Sequence, residues 1–167
     1  MMNYITTPLE DHVANMYYKI GISEPDSSIE EIARRLGIVL LYRKKPSFSM
    51  EGVITLNPFT SKEVRKITFA HELYHTLYHV GTQIDMPHLF RQLQEWQATN
   101  FAYHFCVPTF MLQKLKLPAY RSEAITFIAE TFCVTNQFAK ERLTIYEKQI
   151  IGTLFHERLS SSKELPG

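Results

Sequence analysis

Residues 60–81, TSKEVRKITFAHELYHTLYHVG, predict the element around which the rest of the chain is arranged. Thr60 or Ser61 can cap a helix at its start, and Gly81 is a typical C-terminal stop. The spacing therefore predicts a helix that runs to about Val80. Its middle is rich in apolar side chains, so we expect most of the helix to be buried: Ile67, Phe69, Ala70, Leu73 and Leu77.

Polar residues inside this helix indicate its chemistry. His71, Glu72 and His75 form an HExxH pattern. Residues four apart on a helix differ by about 40° in direction, so both imidazoles can reach one zinc ion at about 2.0–2.1 Å. Glu72 lies about 100° from His71, beside the metal, where it can take a proton from water. The pattern predicts a zinc peptidase with Glu72 as catalytic base; the alternative is buried histidines with local hydrogen bonds.

A catalytic zinc site takes three protein ligands and keeps one position for water, so a third ligand is needed. His79 is about 12 Å from His71 along the helix axis, too far to share one ion. The longer pattern HExxHxxGxxH is absent, because Tyr78 stands at its glycine position. A further helix, predicted over about residues 89–105, offers Glu95. Spacing alone leaves two possibilities for Glu95, a metal ligand or a solvated carboxylate.

The fold class predicted from the pattern is α+β, mostly helical with a short β-sheet packed over the long helix. Helical spacing predicts further helices near residues 9–20, 28–36, 109–115, 122–132 and 135–147. Residues 38–42 (IVLLY) predict a buried strand, and residues 43–49 (RKKPSFS) predict a polar loop. A second strand, VITL, consists of Val53, Ile54, Thr55 and Leu56.

The VITL strand directly precedes the long helix and is a candidate for substrate binding. If it forms the exposed edge of the sheet, an extended peptide can add to it through backbone hydrogen bonds. The alternative is a covered strand without such a role.

Length and composition favour one globular domain over residues 1–167, with a catalytic core at about 1–118 and a helical C-terminal subregion at 119–150. The formal net charge is +1 and the basic residues are scattered, so we expect no direct nucleic-acid binding. The connector FCVTNQ, residues 132–137, resembles that of a helix-turn-helix. DNA binding by the last two helices is therefore a competing hypothesis, which the near-neutral charge disfavours.

Several observations favour the cytoplasm. The N-terminal residues MMNYITTPLEDH have neither a basic region nor an apolar run, so we expect no secretion signal. No apolar stretch reaches about 18 residues, so we expect no membrane association. Cys106 and Cys133 stand in apolar surroundings without CxxC spacing, and we expect them to be free thiols.

Two motifs together resemble a known family. They are HELYH at residues 71–75 and ExQAxxFAxxFxVP at residues 95–108. With the preceding strands and the helical tail, they resemble the ImmA/IrrE metallopeptidases, whose usual pattern is HExxHxxxH followed by ExEAxxFAxxLLMP. The resemblance runs from about Ile32 to Leu143. Tyr74 replaces a usual glycine, and Gln97 stands where a second glutamate is frequent, which leaves Glu95 as the single carboxylate of the second motif.

The resemblance implies a zincin-like minimal metallopeptidase of the gluzincin type. His71, His75 and Glu95 would bind one Zn²⁺ per chain, and Glu72 would be the catalytic base. Related proteins of phages and integrative elements resemble anti-repressors that cleave a helix-turn-helix repressor. We therefore expect a zinc endopeptidase whose partner is such a repressor. The alternative is a non-catalytic anti-repressor that binds and sequesters it.

Three further residues are candidates near the site. His79 falls on a histidine that the family often has just beyond the first motif, and we expect it to support the metal ligands. Tyr103 and His104 lie about two turns beyond Glu95 and could donate a hydrogen bond to the oxyanion. The alternative for Tyr103 is a place in the core.

Overall fold

A computed structural model describes residues 4–78 and 87–161. These ranges contain seven helices and a three-stranded sheet. The α+β prediction is confirmed. In chain order the elements are α1 (Pro8–Lys19), α2 (Ile29–Leu36), β1 (Val39–Tyr42), β2 (Phe48–Met50), β3 (Val53–Leu56), α3 (Lys62–Tyr78), α4 (His88–Cys106), α5 (Thr109–Leu112), α6 (Arg121–Phe132) and α7 (Asn136–Ser161).

Local capping explains where the first two helices begin and end. Thr7 caps α1, and its hydroxyl accepts from the Glu10 N–H while the Glu10 carboxylate accepts from the Thr7 N–H. Ser28 caps α2, which ends at Gly37 with φ 72°. A glycine adopts this left-handed conformation without the steric penalty of a Cβ. Both helices were predicted from the helical spacing of their apolar residues.

The sheet has the strand order β1-β3-β2, with β1 parallel to β3 and β2 antiparallel to it. A two-residue turn, Glu51 and Gly52, joins β2 to β3, and both residues have positive φ (33° and 80°). Such values are typical of the type I′ turn that closes tight hairpins. The prediction of a polar loop for residues 43–49 was therefore wrong at its end, because β2 begins at Phe48.

Strand pairing overturns two further expectations. Val53–Leu56 is the central strand, so the prediction that it forms an exposed edge was wrong; Ile54 and Leu56 are fully buried. β1 is an edge strand whose side chains are largely exposed, with Val39 54% exposed, and was wrongly expected to be buried. An apolar run reveals β propensity, but the order of strands depends on contacts distant in sequence.

One face of the sheet packs on α3, and α3 packs in turn on α4. The hydrophobic core draws on every helix and on β3, for example Val13, Ile32, Ile54, Phe69, Phe101, Leu112, Ile128 and Leu143. The predicted division near residue 118 stays a prediction. The last helix was expected to end near Glu147 but continues to Ser161. Within the described ranges, no helix is long and apolar enough to cross a membrane.

Candidate metal centre

The packing of α3 on α4 brings together three polar side chains from the two helices. The core face of α3 carries Phe69, Ala70 and Leu73, all fully buried. His71 and His75 lie beside that face, one turn apart. Glu95 projects from the neighbouring helix toward both.

The three side chains form a triangle of donor atoms. His71 Nε2 lies 3.1 Å from Glu95 Oε2, His75 Nε2 lies 3.3 Å from Glu95 Oε1, and the two Nε2 atoms are 3.2 Å apart. Four donors arranged tetrahedrally at about 2.0–2.1 Å from zinc are about 3.3–3.4 Å from one another. The observed spacing and the donor set of two imidazoles and one carboxylate therefore fit a catalytic zinc site.

The triangle is also accessible from outside the protein. The side chains of His71, His75 and Glu95 are 26%, 11% and 49% exposed. A catalytic site must leave a position open for water and substrate, whereas a structural site is closed by a fourth protein ligand. Within the described part of the chain, these are the residues that meet the spacing for a metal site.

Glu72 lies next to the triangle in a more enclosed position. Burial raises the pKa of its carboxyl group above the ordinary value. A hydrogen bond from the Ser49 hydroxyl and the nearby His71 act in the opposite direction, while the negative charge of Glu95 adds to the rise. A carboxylate with a raised pKa is a better proton acceptor, as a general base requires.

Comparison with known proteins agrees with this arrangement of two helical motifs. A family model described as the IrrE N-terminal-like domain, a peptidase family, matches residues 33–144. The chain belongs to the ImmA/IrrE family. The matched region contains β1 to α6 and the first part of α7, and so includes both motif-bearing helices.

Two relatives from Bacillus subtilis (strain 168) support the family assignment over most of the chain. The phage-like element PBSX protein XkdA is 42% identical over 157 residues, which cover 91% of this chain and 79% of that protein. The uncharacterized protein YqaB is 37% identical over 166 residues, which cover 96% of each chain.

A solved structure shares the fold at low sequence identity. A Mycobacterium tuberculosis transcriptional regulator superposes with a TM-score of 0.60 at 16% identity. The match covers 85% of this chain and 47% of that chain, so this ImmA/IrrE chain spans about half the length of the regulator. At this identity the similarity concerns the fold alone.

The two oxyanion candidates, Tyr103 and His104, contact other parts of the structure. His104 lies nine residues beyond Glu95, which places it about 180° away, on the opposite side of α4. It is buried 4.0 Å from Glu10. The Tyr103 ring packs on Phe138 of α7 at 4.6 Å between centroids. The role of these two residues as oxyanion donors stays a prediction, and His79 lies outside the described residues.

Ser49 is a neighbour of Glu72 that the sequence did not reveal. It was placed in the predicted polar loop, whereas in the structure it is the middle residue of β2. The alternation of Phe48, Ser49 and Met50 is a strand signal, but three residues are too few to distinguish a strand from a loop. The two-residue turn after Met50 was the stronger local indication of a hairpin.

Proposed function

We propose that this chain is a zinc-dependent endopeptidase that cleaves a helix-turn-helix transcriptional repressor. The observation that carries the proposal is the donor triangle of His71, His75 and Glu95 with the Glu72 carboxylate beside it. These residues would hold one Zn²⁺ per chain. Membership of the ImmA/IrrE family supports both the metal and the peptidase chemistry.

The proposed reaction is hydrolysis of a peptide bond. Zinc held by the triangle would supply Lewis-acid chemistry, polarising the carbonyl and lowering the pKa of a water. Glu72 accepts a proton from the attacking water as the new carbon–oxygen bond forms. Glu72 then transfers this proton to the nitrogen of the leaving amine as the carbon–nitrogen bond breaks. A single carboxylate can serve both steps because it lies beside the reacting centre throughout.

The substrate would be bound as an added strand. β3 is covered on both sides, so the docking role first expected for it passes to the outer edge of β2. In the ranges 4–78 and 87–161, no strand pairs with that edge. β2 also contacts α3, and Ser49 on β2 reaches the base. An extended peptide hydrogen-bonded to β2 would therefore lie close to Glu72.

The repressor target rests on the family resemblance and on the origin of one relative. XkdA, at 42% identity, is a protein of a phage-like element. Such elements keep their genes silent through repressors, and an anti-repressor protease would release them. The net charge of +1 gives no sign that the chain itself binds DNA.

The test combines metal analysis with cleavage of the repressor encoded beside the gene for this chain. The purified protein should contain one zinc per chain and produce a truncated repressor, and a chelator should stop the reaction. Glu72→Gln should lower the cleavage rate about 10²- to 10⁴-fold while zinc is retained. Glu123→Gln, an exposed position on α6, is the matched control and should cleave normally.

A second class of outcome would replace the proposal. If Glu72→Gln still inactivates the repressor fully in cells, proteolysis is not the activity. The non-catalytic alternative, in which the protein sequesters the repressor, would then be correct.

A further inference from the structure

The hydrogen bonds of the central strand determine which way each residue of β2 points. The Val39 N–H donates to the Gly52 carbonyl at 2.9 Å, and the Arg43 N–H donates to the Leu56 carbonyl at 3.0 Å. Residues 52, 54 and 56 therefore direct their backbone groups toward β1. Alternate residues of a strand direct these groups to opposite sides, so Val53 and Thr55 direct theirs toward β2.

The register then assigns the backbone groups of β2. Met50 is opposite Val53 and Phe48 is opposite Thr55. These two pairs form the hydrogen-bonded positions of the ladder, as a two-residue type I′ turn after Met50 also requires. The N–H and C=O of Ser49 therefore point away from the sheet, toward the outer edge of β2.

The side chain of Ser49 points in a third direction, toward the catalytic helix. Its register partner on β3 is Ile54, which is fully buried on the face that packs against α3. Neighbouring residues in register share a face of the sheet, so Ser49 lies on that face as well. There β2 contacts α3, and the Ser49 hydroxyl is near enough to the Glu72 carboxylate to lower its pKa. Phe48 and Met50 lie on the opposite face and are 46% and 67% exposed.

We propose that Ser49 is a positioning residue that joins substrate docking to the catalytic base. Its N–H and C=O hydrogen-bond to the main chain of one substrate residue, and its hydroxyl orients the Glu72 carboxylate. The inference rests on the proposed peptidase function. One residue then fixes both the register of the bound peptide and the direction in which the base faces.

The first test separates turnover from binding with two variants. Ser49→Ala removes the hydroxyl and keeps the backbone, so kcat should fall about 10- to 100-fold, the usual effect of a hydrogen bond to a charged group. KM and zinc content should stay within about two-fold, because the backbone contacts and the metal ligands remain. Ser49→Thr keeps a hydroxyl on a strand-compatible side chain and should restore most of kcat. Ser122→Ala, the same change at an exposed position on α6, is the matched control.

The second test observes the backbone without changing Ser49. In the Glu72→Gln protein, which should bind but barely cleave, amide exchange is followed by NMR with and without a repressor peptide. The Ser49 amide should exchange rapidly in the free protein and at least about 10-fold more slowly with peptide. The Phe48 and Met50 amides already bond to β3 and should be protected in both states.

The outcomes distinguish this inference from the proposed function. If the wild-type protein does not cleave, the peptidase proposal itself fails. If the wild type cleaves but Ser49→Ala keeps full kcat, or if peptide leaves the Ser49 amide unprotected, the positioning role is refuted while the peptidase stands.

Discussion

Two sides of helix α4 each bring histidine and glutamate together. On one side Glu95 of α4 faces His71 and His75 of α3, and on the other side His104 of α4 faces Glu10 of α1. Glu95 faces His71 and His75 at 3.1–3.3 Å, and the three side chains are partly exposed. His104 faces Glu10 at 4.0 Å, where both side chains are less than a tenth exposed. The same residue types thus occur in two groups that differ in access to solvent.

The second group is a buried network of Tyr4, Glu10, His104, Thr109 and Arg142. The Arg142 guanidinium donates to Thr109 Oγ1 at 2.7 Å, and the Thr109 hydroxyl donates to the Glu10 carboxylate. Tyr4 donates to the same carboxylate at 2.6 Å. Burial pushes the pKa of Glu10 upward, but the bonds from Thr109, Tyr4 and the Thr7 backbone outweigh this and leave it lowered. The Glu10 carboxylate thus receives its hydrogen bonds from within the network, whereas His104 Nδ1 and Arg142 Nη1 have no hydrogen-bond partner among the described residues.

The difference shows how a structural site and a reactive site can be built from the same chemistry. In the buried network, O–H and N–H groups of the protein donate to the Glu10 carboxylate, so this carboxylate needs no external ligand. In the triangle, three electron-pair donors converge on one point, which favours a cation between them. The buried network and the triangle therefore differ in solvent access and in the presence of O–H and N–H donors, although both contain histidine and glutamate. The first group stabilises the fold and the second is suited to bind metal.

The largest expected effect comes from breaking the buried network. Arg142→Met removes the cation and leaves Glu10 buried beside neutral partners, so the free energy of unfolding should fall by about 3–5 kcal/mol. Urea denaturation of the metal-free protein measures it. Arg121→Met is the matched control, because Arg121 pairs with Glu147 where both side chains are over 40% exposed. There the loss should be about 1 kcal/mol or less. Equal losses in the two variants would contradict the comparison.

Replacing a ligand in the triangle should have the opposite effect. Zinc binding should weaken strongly, while the stability of the metal-free protein should change little. Glu95→Gln removes the anionic ligand, so zinc affinity should fall by about 100-fold or more, beyond the usual effect of altering a neighbour of a ligand. The metal-free protein should unfold within about 0.5 kcal/mol of the wild type, because the Glu95 side chain is half exposed. Isothermal titration with zinc and urea denaturation measure the two quantities. Retained zinc affinity would exclude Glu95 as a ligand.

Local signals in the sequence predicted the helices and the two histidines of the triangle. Ser28 and Gly37 act through neighbours only a few residues away, so capping rules apply directly. His71 and His75 are related by one helical turn, which spacing alone gives. Glu95 required the family resemblance, since the packing of α3 on α4 depends on contacts far apart in sequence. Its role as a ligand stays a prediction.

The strand order and the position of Ser49, which the sequence did not predict, depend on pairing between distant segments. The central place of Val53–Leu56 follows from β1 and β2 joining it on either side, and Ser49 reaches Glu72 only because of that order. The location of His104 is a different case, because helix geometry alone would have predicted that it lies on the side of α4 opposite Glu95. Nine residues from Glu95 is two and a half turns, which places the two side chains on opposite sides of α4.

The smallest of the three expected effects is a dependence of stability on pH, which arises from His104 in the buried network. Burial, and the nearby positive charge of Arg142, lower the pKa of His104 to about 4. In the unfolded chain the pKa should be near its ordinary value of about 6.5, so between these values only the unfolded state takes up the proton. The contribution of His104 to stability is therefore complete above about pH 6.5. It is lost as the pH falls toward 4, by roughly 2–3 kcal/mol.

Replacing His104 tests directly whether its protonation lowers stability as the pH falls. His104→Gln cannot titrate, so its free energy of unfolding should fall less between pH 7 and 4.5 than that of the wild type. The slopes are compared rather than the absolute values, because the substitution itself perturbs a buried position. Both proteins are measured with chelator present, which removes metal binding by the triangle. His156→Gln, exposed on α7, should keep the wild-type slope. Identical slopes for the wild type and His104→Gln would mean that His104 is protonated in the folded protein and that the network holds a second cation.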